Sequence, residues 1–398
     1  MKYLANGRWF LYSILVLYVL ISIRFFDYSN FNSHLLKLFS FIIIIPVLFF
    51  CWNIIVEKTK EKIFRLYRII LIITISSMFS AFVFWDQDLM LGYRVTTSSI
   101  APILFFFLLY KTKASINFCE KYILCFALLY CVLWLYALSK IPEFIFGVSD
   151  EDASPDEMRG FVRINFYGCI ELACAYFLSL NKLIISRKPI YLVYTVLFIV
   201  FLVLQLTRQL IFGAILITII YLFVYGKKIF IIGALIVSIT LLMGKIKIED
   251  NSIIGSLITL SEEQIDDNDE NIRISEYRYY FTDFSPNLIT DIIGNGLPHD
   301  DSPYGRYNKR LQNTYHYFIS DVGYARMYAM TGLIGLFSYL FLFYYSIKAK
   351  IPKEMMYAKM FVAFVAFISI GTCAYASCFV FPLCLYLIMK QKSFYLKQ

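Results

Sequence analysis

Residues 261–284 read SEEQIDDNDENIRISEYRYYFTDF and form the most polar part of a segment, Gly244–Asp321, that lies between long apolar runs. This segment contains 14 acidic residues, seven Lys and Arg, and two of the three histidines. The whole chain is nevertheless 60% hydrophobic and only 16% charged, with a mean hydropathy of +0.67. A soluble protein of 398 residues cannot bury so much apolar surface. The composition therefore predicts an all-α polytopic integral membrane protein with one large polar loop.

Twelve apolar segments outside the polar loop predict about twelve transmembrane helices. They lie at residues 9–24, 37–56, 67–85, 95–110, 122–139, 164–181, 189–206, 209–225, 228–243, 322–347, 357–372 and 374–389. The chain thus divides into a bundle of about nine spans at 1–243, the large loop at 244–321, and about three spans with a tail at 322–398. The first apolar run follows the basic residues Lys2 and Arg8 and lacks a small-residue cleavage site, which predicts a retained signal anchor.

The segments that connect the predicted spans alternate between basic and acidic. With twelve spans, 22 of the 37 Lys and Arg fall on one side of the membrane and 23 of the 28 acidic residues on the other, with Glu171 inside a predicted span. The positive-inside rule predicts that the basic side and both termini are cytoplasmic, and that the large loop lies on the outer face. Because the charge follows topology and is not clustered on one face, we expect no nucleic-acid partner.

Lysine and arginine separate between the two sides. Of the 23 Lys, 18 lie on the basic side, whereas 10 of the 14 Arg lie on the outer side or at its boundary. The planar guanidinium matches the oxygens of phosphates and carboxylates. Two interpretations stay open: an anionic substrate at the outer face, or pairing of these arginines with the acidic residues nearby.

Two charges lie deep in the apolar sequence. Arg208 stands between two apolar runs with almost no loop, where a guanidinium costs several kcal/mol unless it snorkels or finds a partner. It is either an anion clamp facing the bundle interior or a snorkelling residue. Glu171 is the only carboxylate well inside an apolar segment, and it predicts either an ion pair with Arg163 or Arg208 or a hydrogen bond between helices.

A further pair of arginines precedes the predicted span at 164–181. Arg159 and Arg163 are four residues apart and would share one helix face if that helix begins early. The acidic residues just before them, Asp156 and Glu157 among others, are the alternative partners.

The polar loop predicts two short helices. The acidic run Asp266–Glu270 is typical of a helix N-terminus and precedes a helix over Ile272–Phe284, which carries Arg273 and Arg278. Ser285-Pro286 predicts the start of a second helix, which ends at Gly294-Asn295-Gly296. The acidic spacing does not match a calcium loop, and we predict no metal site.

Polar residues are also concentrated where the loop meets the next span. Asn313, His316 and Ser320 are predicted to share one helical face. A general base, His316 or Asp321, lies close in sequence to Arg310 and Arg326, which could bind an anion. The alternative is an Asp–Arg pair at the membrane boundary that has no chemical role.

The order of these features resembles the Wzy-type O-antigen or capsular polysaccharide polymerases, within the wider polymerase and O-antigen ligase superfamily. Topology and hydropathy are similar over nearly the whole chain, whereas the motifs cover residues 206–335. Three parts carry the resemblance, namely Leu206-Thr207-Arg208-Gln209-Leu210; Tyr277-Arg278-Tyr279 with Gly294-Asn295-Gly296-Leu297-Pro298; and Asn313-Thr314-Tyr315 with Ser320-Asp321-Val322-Gly323-Tyr324 and Gly332-Leu333-Ile334-Gly335. One position departs from the pattern, because Gln312 stands where ligase-like members usually show His.

The resemblance implies a GT-C-like glycosyltransferase of the bacterial inner membrane. Such an enzyme joins oligosaccharide repeat units carried on undecaprenyl diphosphate, needs a base and positive charge for the leaving diphosphate, and requires no cofactor or metal. Its partners would be the lipid-linked donor and acceptor, membrane lipid and a chain-length regulator protein. The alternatives are a flippase for the same lipid-linked glycan and the O-antigen ligase.

The resemblance also implies roles for particular residues. Catalytic roles fall to His316, Asp321 and Arg208. Substrate binding falls to a larger polar set, namely Arg159, Arg163, Glu171, Arg273, Arg278, Asn313, Tyr324 and Arg326.

Overall fold

The computed structural model describes residues 2–23, 25, 34–139, 156–158, 161–163, 167–205, 207–224 and 269–395. The predicted span at 228–243, the first part of the polar loop and Arg159 lie outside the described residues. Within those ranges the chain is helical except for turns, connecting segments and one short hairpin of two strands.

The elements fall into two groups in chain order. The first group is α1 (Lys2–Ser22), α2 (His34–Ile42), α3 (Ile44–Val56), α4 (Lys62–Trp85), α5 (Leu89–Thr112), α6 (Ile116–Leu138), β1 (Asp156–Met158), β2 (Phe161–Arg163), α7 (Cys169–Ser186), α8 (Pro189–Leu204) and α9 (Arg208–Val224). The second group is α10 (Asp269–Thr282), α11 (Leu288–Ile293), α12 (Pro303–Tyr315), α13 (Gly323–Lys348), α14 (Met356–Ile368), α15 (Ala374–Ser377) and α16 (Val380–Tyr395), with 3₁₀ turns at Ile319–Asp321 and Lys353–Met355.

Six helices in the described part of the chain are long and apolar enough to cross a membrane. They are Leu38–Val56, Lys62–Trp85, Leu89–Thr112, Ile116–Leu138, Cys169–Ser186 and Gly323–Lys348. Four more apolar helices are shorter, namely Phe10–Ser22, Pro189–Leu204, Arg208–Val224 and Val380–Gln391. These helices support the predicted membrane-embedded class, while the count of about twelve spans stays a prediction.

The centre of the bundle is α5, whose ten residues Ile100–Leu109 are all buried. This helix packs against α3, α4 and α16, and α13 lies along α4. On the outside of the bundle, by contrast, large apolar side chains such as Phe49 (72% exposed) and Phe223 (73% exposed) are mostly uncovered by the residues that the structure describes. An apolar exterior of this kind suits lipid as the surrounding solvent, because lipid imposes no cost on exposed apolar surface.

The predicted basic connections meet at one end of the bundle, which we name the lysine end. There Lys182 Nζ lies 2.8 Å from Glu120 Oε1. The Asn181 side-chain amide donates to the carbonyl of Glu354 at 2.8 Å, and Lys390 donates to the carbonyl of Ala114. Four of the predicted basic connections therefore lie together in space, while the topology of the chain stays a prediction.

The opposite end carries the described part of the polar loop and Val322, residues 269–322, which we name the lid. Within the lid, Asn295 is completely buried. Its side-chain oxygen accepts from Trp85 Nε1 at 2.9 Å, and its amide donates to Ser285 Oγ at 3.0 Å and to the Ala329 carbonyl at 2.9 Å. One amide thus joins the end of α4, the lid and α13.

A second buried amide, Gln87 in the corner between α4 and α5, fixes the next part of the lid. Its Nε2 donates to the Leu297 carbonyl at 2.8 Å. Its Oε1 accepts from the His299 N–H and from Ser302 Oγ, both at 2.8 Å. Because buried polar groups need partners, these contacts hold the lid in one position.

The lid also fills a break in α13. Gly332 has φ 65° and ψ −172°, so the helix is interrupted there. The carbonyl of Ala329 accepts from the Asn295 N–H at 2.9 Å, and that of Met330 accepts from the Gly296 N–H at 3.1 Å. Carbonyls freed by the break in this long apolar helix therefore find partners on the lid.

The short helices of the lid differ in detail from the prediction. The helix after the acidic run exists as Asp269–Thr282, and the second helix ends at Gly294 as predicted. The prediction of its start at Ser285-Pro286 was wrong. Asn287 is the N-cap, because its side chain accepts from the Thr290 N–H while the Thr290 hydroxyl accepts from the Asn287 N–H.

The predicted helical face of Asn313, His316 and Ser320 was also wrong. Helix α12 ends at Tyr315, and His316 takes a left-handed conformation with φ 57° as its C-cap. A 3₁₀ turn then covers Ile319–Asp321. The helix is interrupted between these residues, so they do not lie along one helix.

Candidate functional site

A cavity of about 990 Å³ lies beside the lid, where α5 and α13 begin. The walls come from the ends of α1 to α3, from the first turns of α5, and from the Leu297–His299 loop and Ile319 of the lid. Arg94 of α5 and Arg326 of α13 both line it, together with His299. Among the described residues that line the cavity, none is acidic. The cavity therefore suits an anionic ligand.

The two guanidinium groups differ in their surroundings. Arg94 is exposed, whereas Arg326 is partly buried and lies near the Cys373 side chain. Within the part of the chain that the structure describes, neither arginine forms an ion pair with a carboxylate. Their charges are consequently available to a ligand that reaches the cavity.

A buried carboxylate lies behind the cavity wall. Glu276 of α10 is only 2% exposed, and its Oε1 accepts from the Phe318 N–H at 2.6 Å. Burial raises the pKa of Glu276, and the nearby Asp321 raises it further, while the Phe318 N–H and Arg273 oppose the shift. Ile319, which follows Phe318 in the chain, lines the cavity. Glu276 therefore bonds to the backbone next to a residue of the cavity wall. A carboxyl with a raised pKa in such a place is a candidate general base.

The second candidate base, Asp321, lies at the end of the 3₁₀ turn and is partly buried. Its carboxylate accepts from Ser320 Oγ at 2.9 Å. The described residues hold no ion pair between Asp321 and Arg326, so the predicted boundary pair is absent from that part of the chain. The third candidate, His316, is exposed at the C-cap of α12.

Other predicted residues of the lid lie on its surface. Arg273, Arg278 and Asn313 are all exposed. None of them lines the cavity that contains Arg94 and Arg326. Substrate binding by these three residues stays a prediction.

Arg208 opens α9, as predicted, and is partly buried. The next residue, Gln209, packs its side-chain amide against Gly371. Two residues further along the same segment, Cys373 lies beside Arg326. Tyr324 donates to the carbonyl of Ala366, within α14, at 2.6 Å.

Glu171 does not pair with either predicted arginine among the described contacts. It is buried near the start of α7, and its Oε1 accepts from the Phe379 N–H at 3.3 Å, just before α16 begins. A carboxylate in this position satisfies a backbone donor that has no helical partner. The contact corresponds to the alternative that the sequence left open, a structural hydrogen bond between helices.

The predicted helix face of Arg159 and Arg163 was wrong. Arg163 ends strand β2, and the following helix begins only at Cys169. In the hairpin, Asp156 and Arg163 lie opposite each other in the register of the two antiparallel strands. Arg159 lies outside the described residues, and binding by either arginine stays a prediction.

Sequence reasoning missed Arg94, Glu276, Gln87 and Asn295. Arg94 carried a signal, because it is an arginine on the acidic side of the predicted topology. Glu276 carried a weaker one, since it lies four residues before Tyr280 on a helix face that is buried. Within the described residues no group of three or more His, Cys, Asp or Glu could hold a metal ion.

Comparison with protein-family models, with curated proteins and with solved structures found no match to this chain.

Proposed function

We propose that this protein is a membrane glycosyltransferase that polymerises lipid-linked oligosaccharide repeat units. The observation that carries the proposal is the cavity at the lid end, in which Arg94 and Arg326 lie with no acidic residue in the described lining. Guanidinium groups bind phosphate oxygens in planar, paired contacts. Such a cavity near the ends of apolar helices suits the diphosphate of a lipid carrier, whose headgroup lies at the membrane boundary.

The reaction requires one bond to form as another breaks. A hydroxyl oxygen of the acceptor glycan attacks the anomeric carbon of the donor, and the bond from that carbon to the diphosphate oxygen breaks with its electron pair. Arg94 and Arg326 would stabilise the negative charge on the leaving undecaprenyl diphosphate. The hydroxyl proton would pass to a carboxylate, for which Glu276 and Asp321 are the candidates beside the cavity.

The proposal includes the orientation of the chain in a bacterial inner membrane. Under the positive-inside rule, the lysine end is cytoplasmic and the lid end faces the periplasm. The carrier lipid would then present its diphosphate and glycan to the lid. Of the three parts that carry the resemblance, one lies within the lid and another runs from the lid into α13, where its Gly332 contacts Gly294.

A flippase for the same lipid-linked glycan is the second candidate, because α13 is broken at Gly332 and transporters use broken helices at their substrate sites. In a transporter, the backbone groups freed by the break would face the substrate. Here the carbonyls of Ala329 and Met330 accept from backbone N–H groups of the lid. The break therefore favours a fixed lid and, with it, the polymerase.

The test is turnover of purified full-length protein in nanodiscs with a defined undecaprenyl-diphosphate-linked repeat unit. We expect glycan chains of two or more repeats together with released undecaprenyl diphosphate. Arg94→Ala should lower the rate by roughly 100-fold to 1,000-fold, the usual loss for one stabilising donor, and Arg94→Lys should restore part of it. Arg306→Ala, at an exposed arginine of α12 outside the cavity, is the matched control.

The outcomes separate the three candidates. Chain growth that is lost with Arg94→Ala and kept with Arg306→Ala supports the polymerase. Movement of the lipid-linked repeat across the bilayer of proteoliposomes without chain growth would establish the flippase instead. Transfer only to a lipid A–core acceptor would establish the ligase.

A further inference from the structure

A second concave surface lies on the lid, and we name it the tyrosine groove. It has a volume of about 560 Å³. Its lining residues are Tyr279, Tyr307, Arg310, Leu311, Thr314, Tyr315 and Tyr317. Four tyrosines, an arginine and a threonine in one groove combine flat apolar faces with hydrogen-bonding groups.

The rings of the groove form a connected wall. The Tyr279 and Tyr317 centroids are 5.5 Å apart, and those of Tyr315 and Tyr317 are 5.6 Å apart with planes inclined by 32°. Tyr315 is nevertheless 58% exposed. A large aromatic side chain that is positioned by its neighbours but left uncovered has capacity to bind a ligand.

The groove also contains hydrogen-bond donors that the described contacts do not use fully. The hydroxyls of Tyr279 and Tyr307 lie 2.6 Å apart, so one donates to the other and the second keeps its own proton. Burial, together with the adjacent Tyr307 hydroxyl, raises the pKa of Tyr279, so the Tyr279 hydroxyl stays protonated near neutral pH. Arg310 is exposed and forms no ion pair with the residues that the structure describes. Hydroxyl and guanidinium donors therefore face a surface made mainly of aromatic carbon.

The groove and the cavity lie close together along the chain. Tyr317 lines the groove, and Ile319, two residues later, lines the cavity. The residue between them, Phe318, donates its N–H to Glu276. A ligand that fills the groove would thus end near the candidate base and near the wall of the arginine cavity.

We infer that the tyrosine groove binds an oligosaccharide chain and holds the glycan whose end reacts at the cavity. The apolar C–H faces of sugar rings pack against aromatic rings, and sugar hydroxyls bond with tyrosine, threonine and arginine. The volume suits a few sugar rings. The identity of that glycan as an acceptor or growing polymer rests on the proposed function, whereas saccharide binding itself does not.

The test measures binding without turnover. The probe is the repeat-unit oligosaccharide of the producing bacterium, one to four repeats long, freed from its lipid diphosphate by mild acid hydrolysis. Full-length protein in nanodiscs is titrated with it by calorimetry and by saturation-transfer NMR. We expect affinity to rise with the number of repeats, Tyr315→Ala to lower it at least tenfold, and Tyr315→Trp to keep most of it.

Matched variants guard against indirect effects. Tyr344→Ala removes a tyrosine of α13 that is similarly exposed (53%) but lies outside the groove, and it should leave the affinity unchanged. Arg310→Ala should weaken binding without reducing thermal stability, because its side chain is exposed. No saccharide binding by the wild type, or equal binding by Tyr315→Ala, overturns the inference. A loss of lipid association by Tyr315→Ala with unchanged saccharide binding would identify an interfacial aromatic belt and also overturns it.

Failure of the groove and failure of the proposed function give different results. If the protein binds the oligosaccharide but joins no repeats, the inference about the groove holds and the proposed polymerase function is wrong. If the protein polymerises repeats and its Tyr315→Ala variant makes chains of wild-type length, only the inference about the groove is wrong. If both hold, Tyr315→Ala still joins the first repeats but makes shorter chains, whereas Arg94→Ala loses the first transfer as well.

Discussion

The Glu276 carboxylate is buried in the lid, where water cannot solvate its charge fully, and the N–H of Phe318 donates to it. Burial and the neighbouring Asp321 raise its pKa from the ordinary value of 4.5. A proton acceptor works best when its pKa approaches the operating pH. Asp321, which is less buried, lacks such a backbone donor among the described contacts. These differences make Glu276 the stronger candidate for the base.

Replacing Glu276 by glutamine should separate stability from activity. The amide oxygen can still accept from Phe318, but the side chain can no longer take a proton. Turnover of the lipid-linked repeat unit should fall by roughly 100-fold or more. Glu354→Gln, at an exposed carboxylate of the lysine end, is the control and should keep wild-type turnover.

The same variant predicts a change in the pH dependence of stability. Because the folded-state pKa of Glu276 is raised, the folded state holds the proton more tightly than the unfolded state. Stability is therefore highest below about pH 4.5 as far as this group is concerned, and it falls as pH rises through the folded-state pKa. Melting temperatures of Glu276→Gln should lack that fall, whereas a slope identical to that of the wild type would contradict the assignment.

At the scale of elements, the contact between the lid and α13 is a contact between two glycines. Gly294 has φ 90° and ψ 165°, and Gly332 has φ 65° and ψ −172°, a backbone region that only glycine adopts readily. A Cβ on Gly332 would lie 2.3 Å from the Ile292 carbonyl oxygen, and one on Gly294 would lie 2.2 Å from that of Met330. Both obstacles are backbone atoms, so rotation of a side chain cannot remove them.

Gly332→Ala should therefore detach the lid from α13. The backbone strain alone costs about 1–3 kcal/mol, and the clash adds to it. We expect a lower melting temperature and faster hydrogen exchange at Asn295 and Gly296, whose N–H groups bond to α13. Gly92→Ala is the control, because its Cβ would meet the flexible Met78 side chain at 3.1 Å. Equal effects of the two substitutions would show that the junction is unimportant.

Elements whose ends are marked by a clear change in residue type could be predicted from the sequence. Contacts between elements that are distant in the chain could not. The span predicted at 322–347 is the helix Gly323–Lys348, because a long apolar run has polar residues at both ends. The end of the second lid helix at Gly294 followed from the Gly-Asn-Gly sequence, but its docking into a break at Gly332 did not. Apolar periodicity shows which face of a helix is buried without naming its neighbour. For that reason the sequence did not predict that Arg94 and Arg326 line the same cavity.

At the scale of the whole molecule, the two ends of the bundle differ in chemistry. The lysine end joins basic connections through contacts such as Lys182–Glu120, and the lid end carries the lid and the arginine cavity. Lysines fix orientation because translocating their charge across the bilayer is unfavourable. The same asymmetry that orients the chain would therefore leave the arginines on the side where a lipid diphosphate is processed.

Labelling of single cysteines tests this orientation directly. In a variant whose nine cysteines are replaced, Asp301→Cys places a thiol on the lid, where the Asp301 side chain is 80% exposed. Lys188→Cys places one on the exposed connection between α7 and α8. In intact spheroplasts of a bacterial host, a membrane-impermeant maleimide should label Asp301→Cys fully and Lys188→Cys only after lysis. Both thiols must react in detergent, which controls for accessibility. The reverse pattern would put the arginine cavity on the cytoplasmic side, where cytoplasmic glycosyltransferases could reach the same diphosphate. Both the predicted topology and the proposed function would then be wrong.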